Sequence, residues 1–418
     1  MTDNLEEVSL TPRLKPVLPV KIVDTVETLN ELIAAVERTK DPIAIDAERA
    51  SGFRYGQKAY LIQVAIKDDC IYLLDPTIAY PESDLQHLQR TLNSITWIIH
   101  AASQDLPCLA EYGLKPINLF DTELAGRLLG LAKVSLASLT EFYLKQSLAK
   151  EHSAVDWSTR PLPDSWIVYA ALDVDVLFEL WDAVANDLVA KNKMEIALAE
   201  FEQQKNFEVR NRGSERWRTT NGIHELKEAK SLTILKALWE AREQLAQEKD
   251  IAPGRLIPDA SLIAVVKAQP KTRTELASIR DFTGRASRTY IDLWWKAFEL
   301  GSQSSDLVEL RPKATGIPNH RNWPSKFPDA HRRLLWSKKL LQQLSSDVQI
   351  PIENLVAPEV LKNICFSPPE SSLEEVAASL KMKGVRDWQV NLVAPVLLAA
   401  FQKGDLPDKE ITESTDPD

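Results

Sequence analysis

The sequence has little cysteine, no long apolar run and no excess of positive charge. Its three cysteines among 418 residues, Cys70, Cys108 and Cys365, lack the spacing of metal ligands. They exclude a disulfide framework and fit a reducing cytoplasm. The first 20 residues are acidic and then interrupted by proline, so no signal peptide is expected. The most apolar late stretch, residues 392–401, is too short to span a bilayer, and no membrane partner is expected.

The negative net charge does not exclude a polyanionic partner. The charge is −10 and the sequence pI is about 5.3, but phosphate binding needs only a local positive surface. Two basic segments with interspersed aromatic residues are candidate contacts to single-stranded nucleic acid, and a solvated linker face is the alternative for each. A glutamine on a predicted strand is a further candidate, with a structural role as its alternative. The candidate contacts are Gln63, Arg210, Arg212, Arg216, Trp217, Arg218, Arg321, Arg332 and Arg333.

Two acidic residues follow a predicted buried strand. Residues 42–45 are apolar, and residues 60–66 and 71–74 predict the next two strands. Because side chains alternate along a strand, Asp46 and Glu48 project from the same face. Adjacent carboxylates raise each other's pKa unless a cation lies between them, and a hard ion such as Mg²⁺ or Mn²⁺ suits oxygen ligands. Two solvated carboxylates at a strand end are the simpler alternative.

Three further candidate groups lie in predicted helical segments. Asp105 comes shortly after the predicted strand 96–99, where an acidic residue is also a common helix cap. Tyr169 and Asp173 stand four residues apart in a predicted helix, so the phenol and the carboxylate share a face. His100 is interpreted as a packed histidine, since imidazole prefers softer metals than Mg²⁺. Each residue alone has a structural explanation, and only the joint pattern indicates a site.

Taken in chain order, these motifs resemble the DEDD 3′–5′ exonuclease superfamily, in the branch whose last motif is Tyr-x-x-x-Asp. Within that branch the chain is similar to ribonuclease D over about residues 19–206. Supporting segments lie between the motifs in the expected order, at residues 60–63, 120–125 and 156–162. Many relatives carry an aromatic residue directly after the glutamate of the first motif, where this chain has Arg49. This chain therefore lacks the aromatic ring on which the terminal base would stack, whereas its metal ligands are not affected.

The resemblance implies a two-metal-ion site with Mg²⁺ or Mn²⁺ as cofactor. It assigns Asp46 to both ions, and Glu48 and Asp173 to the ion that carries the attacking water. It assigns Asp105 to the ion beside the leaving 3′-oxygen. Tyr169 would orient that water or help to deprotonate it. Because a free phenol has a pKa of about 10, the metal must supply most of the acidity.

The rest of the chain predicts two helical bundles that form a divergent repeat, offset by about one hundred residues. The first, residues 223–303, resembles the HRDC domain, an auxiliary nucleic-acid-binding module of ribonuclease D exonucleases and RecQ-type helicases. The resemblance rests on residues 256–262 and on neighbouring motifs. The second, residues 326–404, lacks the Pro-Asp pair and is interpreted as HRDC-like from position and spacing. The acidic tail, residues 405–418, is predicted to be disordered.

The predicted architecture is a ribonuclease H-like α/β domain followed by two all-α bundles. The α/β domain has a mixed sheet of about five or six strands flanked by helices. The predicted function is a cytoplasmic, metal-dependent 3′–5′ exoribonuclease that releases nucleoside 5′-monophosphates and needs no organic cofactor. Its expected substrates are the 3′ ends of tRNA precursors or other structured RNA. The alternatives are a DNA-directed exonuclease with the same metal chemistry and a catalytically silent RNA-binding scaffold, which the complete set of site residues disfavours.

Overall fold

The computed structural model describes residues 10–148, 152, 154–206, 213, 215–311, 316–370 and 372–407. Its first half forms an α/β domain. The strands of this domain are β1 (Thr11–Arg13), β2 (Val20–Val23), β3 (Ile43–Arg49), β4 (Ala59–Ala65), β5 (Ile71–Leu74), β6 (Thr96–Ile99), β7 (Asn118–Asp121) and β8 (Gln146–Leu148). Its helices are α1 (Val26–Arg38), α2 (Glu82–Asn93), α3 (Leu106–Glu111), α4 (Thr122–Leu128), α5 (Leu136–Leu139), α6 (Asp164–Asp175), α7 (Leu177–Ala190) and α8 (Met194–Lys205).

The main sheet of the α/β domain has the strand order β2-β5-β4-β3-β6-β7. Strands β3, β4 and β5 pair antiparallel, and the outer pairings are parallel, so the predicted mixed sheet flanked by helices is confirmed. Every residue of β4 is buried, which explains its almost continuous apolar sequence. Strand β3 continues beyond residue 45 to Arg49, so Asp46 and Glu48 belong to the strand itself.

A second, two-stranded sheet joins β1 to β8 in parallel. Arg13 of β1 is buried, and its Nε donates to Asp175 Oδ2 over 3.1 Å. Asp175 also accepts from the backbone N–H groups of Val17 and Leu18, so this carboxylate fastens the N-terminal segment. It therefore has a structural role, although it lies only two residues from Asp173. Strand β1 precedes residue 19, the predicted start of the domain.

Two helical bundles follow the α/β domain. The first bundle consists of α9 (Ala229–Lys249), α10 (Pro253–Leu256), α11 (Asp259–Ala268), α12 (Arg273–Ser278), α13 (Arg285–Thr289) and α14 (Ile291–Gln303). The second bundle consists of α15 (Trp323–Lys326), α16 (Pro328–Val348), α17 (Ile352–Leu355), α18 (Pro358–Phe366), α19 (Leu373–Met382) and α20 (Asp387–Phe401). None of the helices in the described ranges is long and apolar enough to cross a membrane. Of the acidic tail, residues 408–418 lie outside the described residues.

The two bundles share a succession of three helices, α9 to α11 in the first and α16 to α18 in the second. In each, a helix of 21 residues, α9 or α16, ends at a residue in the left-handed conformation. These residues are Asp250, with φ +48°, and Gln349, with φ +51°. A short helix and a helix of intermediate length follow in both bundles, α10 and α11 in the first and α17 and α18 in the second. The predicted repeat thus corresponds to a three-helix arrangement that occurs in both bundles.

The bundles attach to the α/β domain in different ways. The second bundle shares one continuous hydrophobic core with the α/β domain. At their border, Lys193 Nζ donates to the backbone oxygens of Leu128 and Gln349, over 2.6 and 2.8 Å. The first bundle has a hydrophobic core of its own, around Trp217 and Trp294. Its contacts to the α/β domain include the packing of Tyr55 against this core and polar contacts at its surface.

Candidate active site

Three structural elements bring the predicted site residues together. Asp46 and Glu48 lie two residues apart on β3 and face the same side of the sheet. Helix α6 packs on that face, across β3, β4 and β5, and carries Tyr169 and Asp173 one turn apart. Asp105 stands at the N-terminal end of α3. The site is therefore formed where the central antiparallel strands meet α6.

The carboxylates converge closely enough to share a cation. Carboxylate oxygens of Asp46, Glu48 and Asp173 all lie within 4.8 Å of one another. Asp105 is buried, and its carboxyl group is within hydrogen-bonding reach of Asp46. Although Asp105 occupies a helix-capping position, its side chain makes no capping hydrogen bond. The capping alternative for this residue is thus excluded, and its carboxyl group faces the acidic cluster.

The electrostatics of the cluster favour a bound cation. Burial, followed by the charges of Asp46, Asp173 and Asp105, raises the pKa of Glu48 to about 10. Burial also raises the pKa values of the three aspartates, those of Asp105 and Asp173 well above the usual range. Without a counter-charge the cluster therefore retains protons at neutral pH. A half-buried donor set made only of carboxylate oxygens fits a hard divalent ion.

Tyr169 lies beside the cluster with its hydroxyl within hydrogen-bonding reach of Asp173. Burial, and then the negative charges of Asp173 and Glu48, raise the pKa of this phenol above its ordinary value. Its ring is 6.3 Å from the ring of the fully buried Trp157 and 6.0 Å from that of His152. These aromatic neighbours fix the ring, and the hydroxyl keeps its proton at neutral pH.

Arg49 is a residue of the site that the sequence did not reveal as functional. A bulge between Glu48 and Arg49 interrupts the pairing of β3 with β4. The Arg49 guanidinium lies 3.5 Å from Asp105 Oδ1, and its charge lowers the pKa values of Asp46 and Asp105 against the effect of burial. The only indication in the sequence was that an arginine stands where many relatives carry an aromatic residue.

Two polar residues predicted near the site are enclosed by the fold. Gln63 lies opposite Asp46 in the pairing of β3 with β4 and is completely buried. Its amide group makes no hydrogen bond within the described residues, and no surface is left for a substrate contact. His100 Nδ1 lies 2.9 Å from Thr122 Oγ1, and burial lowers the pKa of His100 to about 4. His100 is therefore a packed, neutral histidine, as expected.

The first basic segment is engaged in contacts within the first bundle. Arg210 and Arg212 lie outside the described residues. Arg216 pairs with Glu243 over 3.3 Å, and Arg218 pairs with Glu215. The Arg218 guanidinium also lies 4.2 Å from the centre of the Trp217 ring, which is completely buried. Because its ring is covered, Trp217 offers no platform for base stacking, and the prediction of a nucleic-acid contact there is wrong.

Part of the positive charge of the second basic segment is engaged in contacts within the protein. Arg333 Nε donates to the backbone oxygen of Cys365 over 2.8 Å, and burial lowers the pKa of this arginine. Arg332 lies 3.4 Å from Asp329. Arg321 is exposed, and no side-chain partner is found for it among the described residues. Of these three arginines, Arg321 has the guanidinium most available to a phosphate.

Three family profiles match successive parts of the chain. The family described as 3′-5′ exonuclease matches residues 20–189, and the HRDC domain matches residues 231–297. The family described as 3′ to 5′ exonuclease C-terminal domain matches residues 316–401. The HRDC prediction for the first bundle is thereby confirmed. The second bundle matches a family with a different description, and its likeness to HRDC stays a prediction.

Known proteins show similarity over most of the chain. A ribonuclease D from Shewanella sp. (strain ANA-3) is 31% identical over 63% of this chain and 68% of its own length. The crystal structure of a protein from Bifidobacterium adolescentis has a TM-score of 0.86 and 32% identity, covering 94% of this chain and all of the other. Escherichia coli RNase D, described as an exoribonuclease involved in structured RNA processing, has a TM-score of 0.65 and 24% identity. It covers 92% of this chain and 99% of its own, which supports the shared fold.

Proposed function

The chain belongs to the ribonuclease D family and is a 3′–5′ exoribonuclease, and we propose that it removes nucleotides with two divalent ions held by four carboxylates. Asp46, Glu48 and Asp173 would hold one ion, and Asp46 and Asp105 would hold the other. The observation that carries this assignment is the convergence of the first three carboxylates within 4.8 Å, beside a buried Asp105. Mg²⁺ and Mn²⁺ are the ions that suit this set of oxygen ligands.

The protein's own residues arrange the reacting groups around the scissile phosphate. When bound, the ions would lower the pKa of the attacking water and stabilise charge on the leaving 3′-oxygen. Tyr169 keeps its proton, and its hydroxyl, which bonds to Asp173, would accept a hydrogen bond from the water and so orient it for in-line attack. Arg49 places a positive charge beside Asp105 and so reduces repulsion among the carboxylates. The product of each turnover is a nucleoside 5′-monophosphate.

We propose the 3′ ends of tRNA precursors, or of other structured RNA, as the substrates. Membership of the ribonuclease D family supports this class, as does the fold shared with an exoribonuclease involved in structured RNA processing. Arg321 and Arg332 supply positive charge in the second basic segment for phosphate contacts. All three cysteines are free and buried, which supports a reducing, cytoplasmic location.

We also propose the domain division predicted from the sequence. The exonuclease domain comprises residues 19–206, preceded by the added strand β1. The HRDC domain comprises residues 223–303, and a separate hydrophobic core, which also includes Trp217 before this range, supports a separate unit here. The second domain comprises residues 326–404, with most of α15 lying just before this range, and it functions as a fixed extension of the exonuclease, since the two share one core.

The test of the proposed function is hydrolysis of matched RNA and DNA oligonucleotides that carry the same 3′ tail. The reactions contain Mg²⁺, Mn²⁺ or EDTA, and the variants are Asp46→Asn and Asp164→Asn. Asp46→Asn keeps the side-chain volume but removes a ligand, and we expect it to abolish cleavage. Asp164 is exposed at the start of α6 and outside the cluster, so Asp164→Asn serves as the matched control.

Metal-dependent, stepwise shortening of RNA that is lost in Asp46→Asn and kept in Asp164→Asn would support the assignment. Equal shortening of DNA would show that the enzyme does not distinguish ribose from deoxyribose. RNA binding without cleavage in either metal would contradict the proposal and favour a silent scaffold.

A further inference from the structure

The loop between β3 and β4, residues 50–58, starts two residues after Glu48 of β3. On one side it is tied to the segment that precedes α6. Arg54 Nε donates to Ser158 Oγ over 2.8 Å, and Ser158 Oγ donates to Asp156 Oδ1 over 2.5 Å. Loop 50–58 therefore links the strand that carries Asp46 to the segment that leads into the helix of Tyr169.

The other side of loop 50–58 is held by the left-handed turn that ends α9. Asp250, in this turn, accepts a hydrogen bond from the backbone N–H of Tyr55 over 3.2 Å. Its second carboxylate oxygen accepts from the hydroxyl of Tyr60, at the start of β4, also over 3.2 Å. The hydroxyl of Tyr55 donates to Glu243 of α9 over 3.1 Å. Two acidic residues of the first bundle thus bind the later part of this loop and the start of β4.

Helix α10 adds contacts to the tip of the loop. The Arg255 guanidinium lies 3.8 Å from the centre of the Phe53 ring, and its Nε donates to the backbone oxygen of Gly52 over 2.6 Å. The backbone N–H of Ala252 donates to the backbone oxygen of Phe53 over 3.0 Å. Because the first bundle has its own hydrophobic core, these polar and cation–π contacts are a main source of its attachment.

We propose that the first bundle is a positioning element of the active site, acting through Asp250 and Arg255 on loop 50–58. The proposal rests on the proposed function, because it concerns the geometry of the same metal cluster. Glu48 is the last residue before the bulge of β3, so a shift of the loop displaces its carboxylate directly. Misplacement of a reacting group by about 1 Å can reduce a rate by about a hundredfold. Asp250 and Arg255 touch no reacting atom and are positioning residues.

A pure RNA-binding role for the first bundle predicts a different result. Such a role would strengthen the binding of long RNA and leave the cleavage of a very short RNA unchanged. A positioning role changes the rate of the chemical step for both substrates. A trinucleotide RNA, which occupies little beyond the site itself, and a longer RNA with the same 3′ end therefore separate the two roles.

The test uses the full chain and measures kcat and KM for both RNAs. Asp250→Gly removes the carboxylate and still accepts the left-handed backbone at φ +48°. Asp250→Asn keeps one oxygen for the Tyr55 N–H and tolerates the same backbone conformation, so it is the conservative rescue. Arg255→Ala tests the second contact. Arg285→Ala is the matched control, since Arg285 is exposed in the same bundle and no partner is found for it among the described residues.

We expect Asp250→Gly and Arg255→Ala to lower kcat on the trinucleotide by about tenfold or more with little change in KM. Asp250→Asn should restore most of the rate, and Arg285→Ala should leave kcat unchanged. Amide hydrogen exchange should accelerate in loop 50–58 of the two impaired variants. If Asp250→Gly also accelerates amide exchange throughout α9, the helix itself is destabilised. The kcat of Arg255→Ala alone then tests the positioning role.

An unchanged kcat in Arg255→Ala, or a loss confined to KM for the longer RNA, would overturn the positioning role. An inactive wild-type protein on both RNAs would instead contradict the proposed exoribonuclease function, so the two failures are distinguishable.

Discussion

The Tyr169 hydroxyl is placed to orient water and not to remove its proton. Burial and the neighbouring carboxylates raise its pKa, so the phenolate is scarce at neutral pH. We expect Tyr169→Phe to lower kcat by about a hundredfold, since one positioned hydrogen bond is lost, while metal binding is kept. Single-turnover cleavage measures the rate, and metal-induced thermal stabilisation measures binding. Tyr143→Phe, whose hydroxyl bonds to Asp187 elsewhere, is the control. An unchanged rate in Tyr169→Phe would show that the hydroxyl is dispensable.

His100 makes the stability of the fold sensitive to acid. Burial lowers its pKa to about 4, whereas an unfolded histidine titrates at about 6.5. Between these values the unfolded chain binds a proton that the folded chain does not, so stability is lost as the pH falls through this window. The loss attributable to His100 reaches about 3 kcal/mol. Urea unfolding of the wild type and of His100→Asn at pH 7 and pH 4.5 measures it. The variant should lose less stability on acidification, and equal losses would contradict the assignment.

Helix α8 fastens the second bundle to the exonuclease through one buried carboxylate. Glu200 accepts from Arg386 Nε over 2.6 Å and from Trp388 Nε1 over 2.8 Å. Replacing it leaves a largely covered guanidinium without its partner, and we expect Glu200→Ala to cost about 3 kcal/mol in unfolding free energy. Glu202→Ala is the matched control on the same helix, because the Glu202 carboxylate is exposed and its loss should cost less than about 1 kcal/mol. Equal effects of the two changes in urea unfolding would show that this contact does not fasten the bundle.

The same turn of the repeated helical unit docks both bundles. In the first bundle the turn at Asp250 binds Tyr55 and Tyr60 of the exonuclease. In the second bundle the backbone oxygen of Gln349 accepts from Lys193 and lies where a side chain on Gly130 would clash, 2.6 Å away. The repeat therefore places one equivalent surface against two different sites of the exonuclease.

Patterns within single elements paired the candidate site residues, and the resemblance to a known family joined the pairs into one predicted site. A spacing of two on β3 and of four on α6 determines which side chains share a face, and neither depends on distant contacts. The order of these motifs along the chain then joined them into one site. Strand β7 was missed because polar residues at both of its ends leave only two apolar residues between them. Strand β1 was missed because its partner, β8, lies more than a hundred residues away.

Contacts between elements were the part that the sequence could not supply. Trp217 among arginines has the composition of a stacking platform, yet its ring is covered by residues of α9 to α14. Arg333 belongs to a basic segment, yet it caps the end of α18 through the backbone oxygen of Cys365. A local pattern counts charges and rings but does not show which of them another element has already engaged. For the same reason the sequence did not indicate the contacts of Asp250 and Arg255, because their partners lie about two hundred residues earlier.

The acidic cluster couples the stability of the whole molecule to metal and pH. The pKa of Glu48 is about 10 in the folded chain and 4.5 ordinarily, so the folded, metal-free protein retains a proton that the unfolded chain releases within this window. Stability of the metal-free protein should therefore fall as the pH rises from about 5 to 9. Glu48→Gln removes this titration, and in EDTA its melting temperature should exceed that of the wild type by a margin that grows with pH.

Adding Mg²⁺ or Mn²⁺ should raise the melting temperature of the wild type above that of Glu48→Gln. An ion that binds only the folded state stabilises the wild type in proportion to the logarithm of its concentration, and Glu48→Gln lacks one ligand. Thermal unfolding at pH 6, 7.5 and 9, with EDTA or with each metal, measures both effects. Asp164→Asn, which removes an exposed carboxylate outside the cluster, should follow the wild type throughout. If wild type and Glu48→Gln gain equal stability from the metal, the ion is held by other residues.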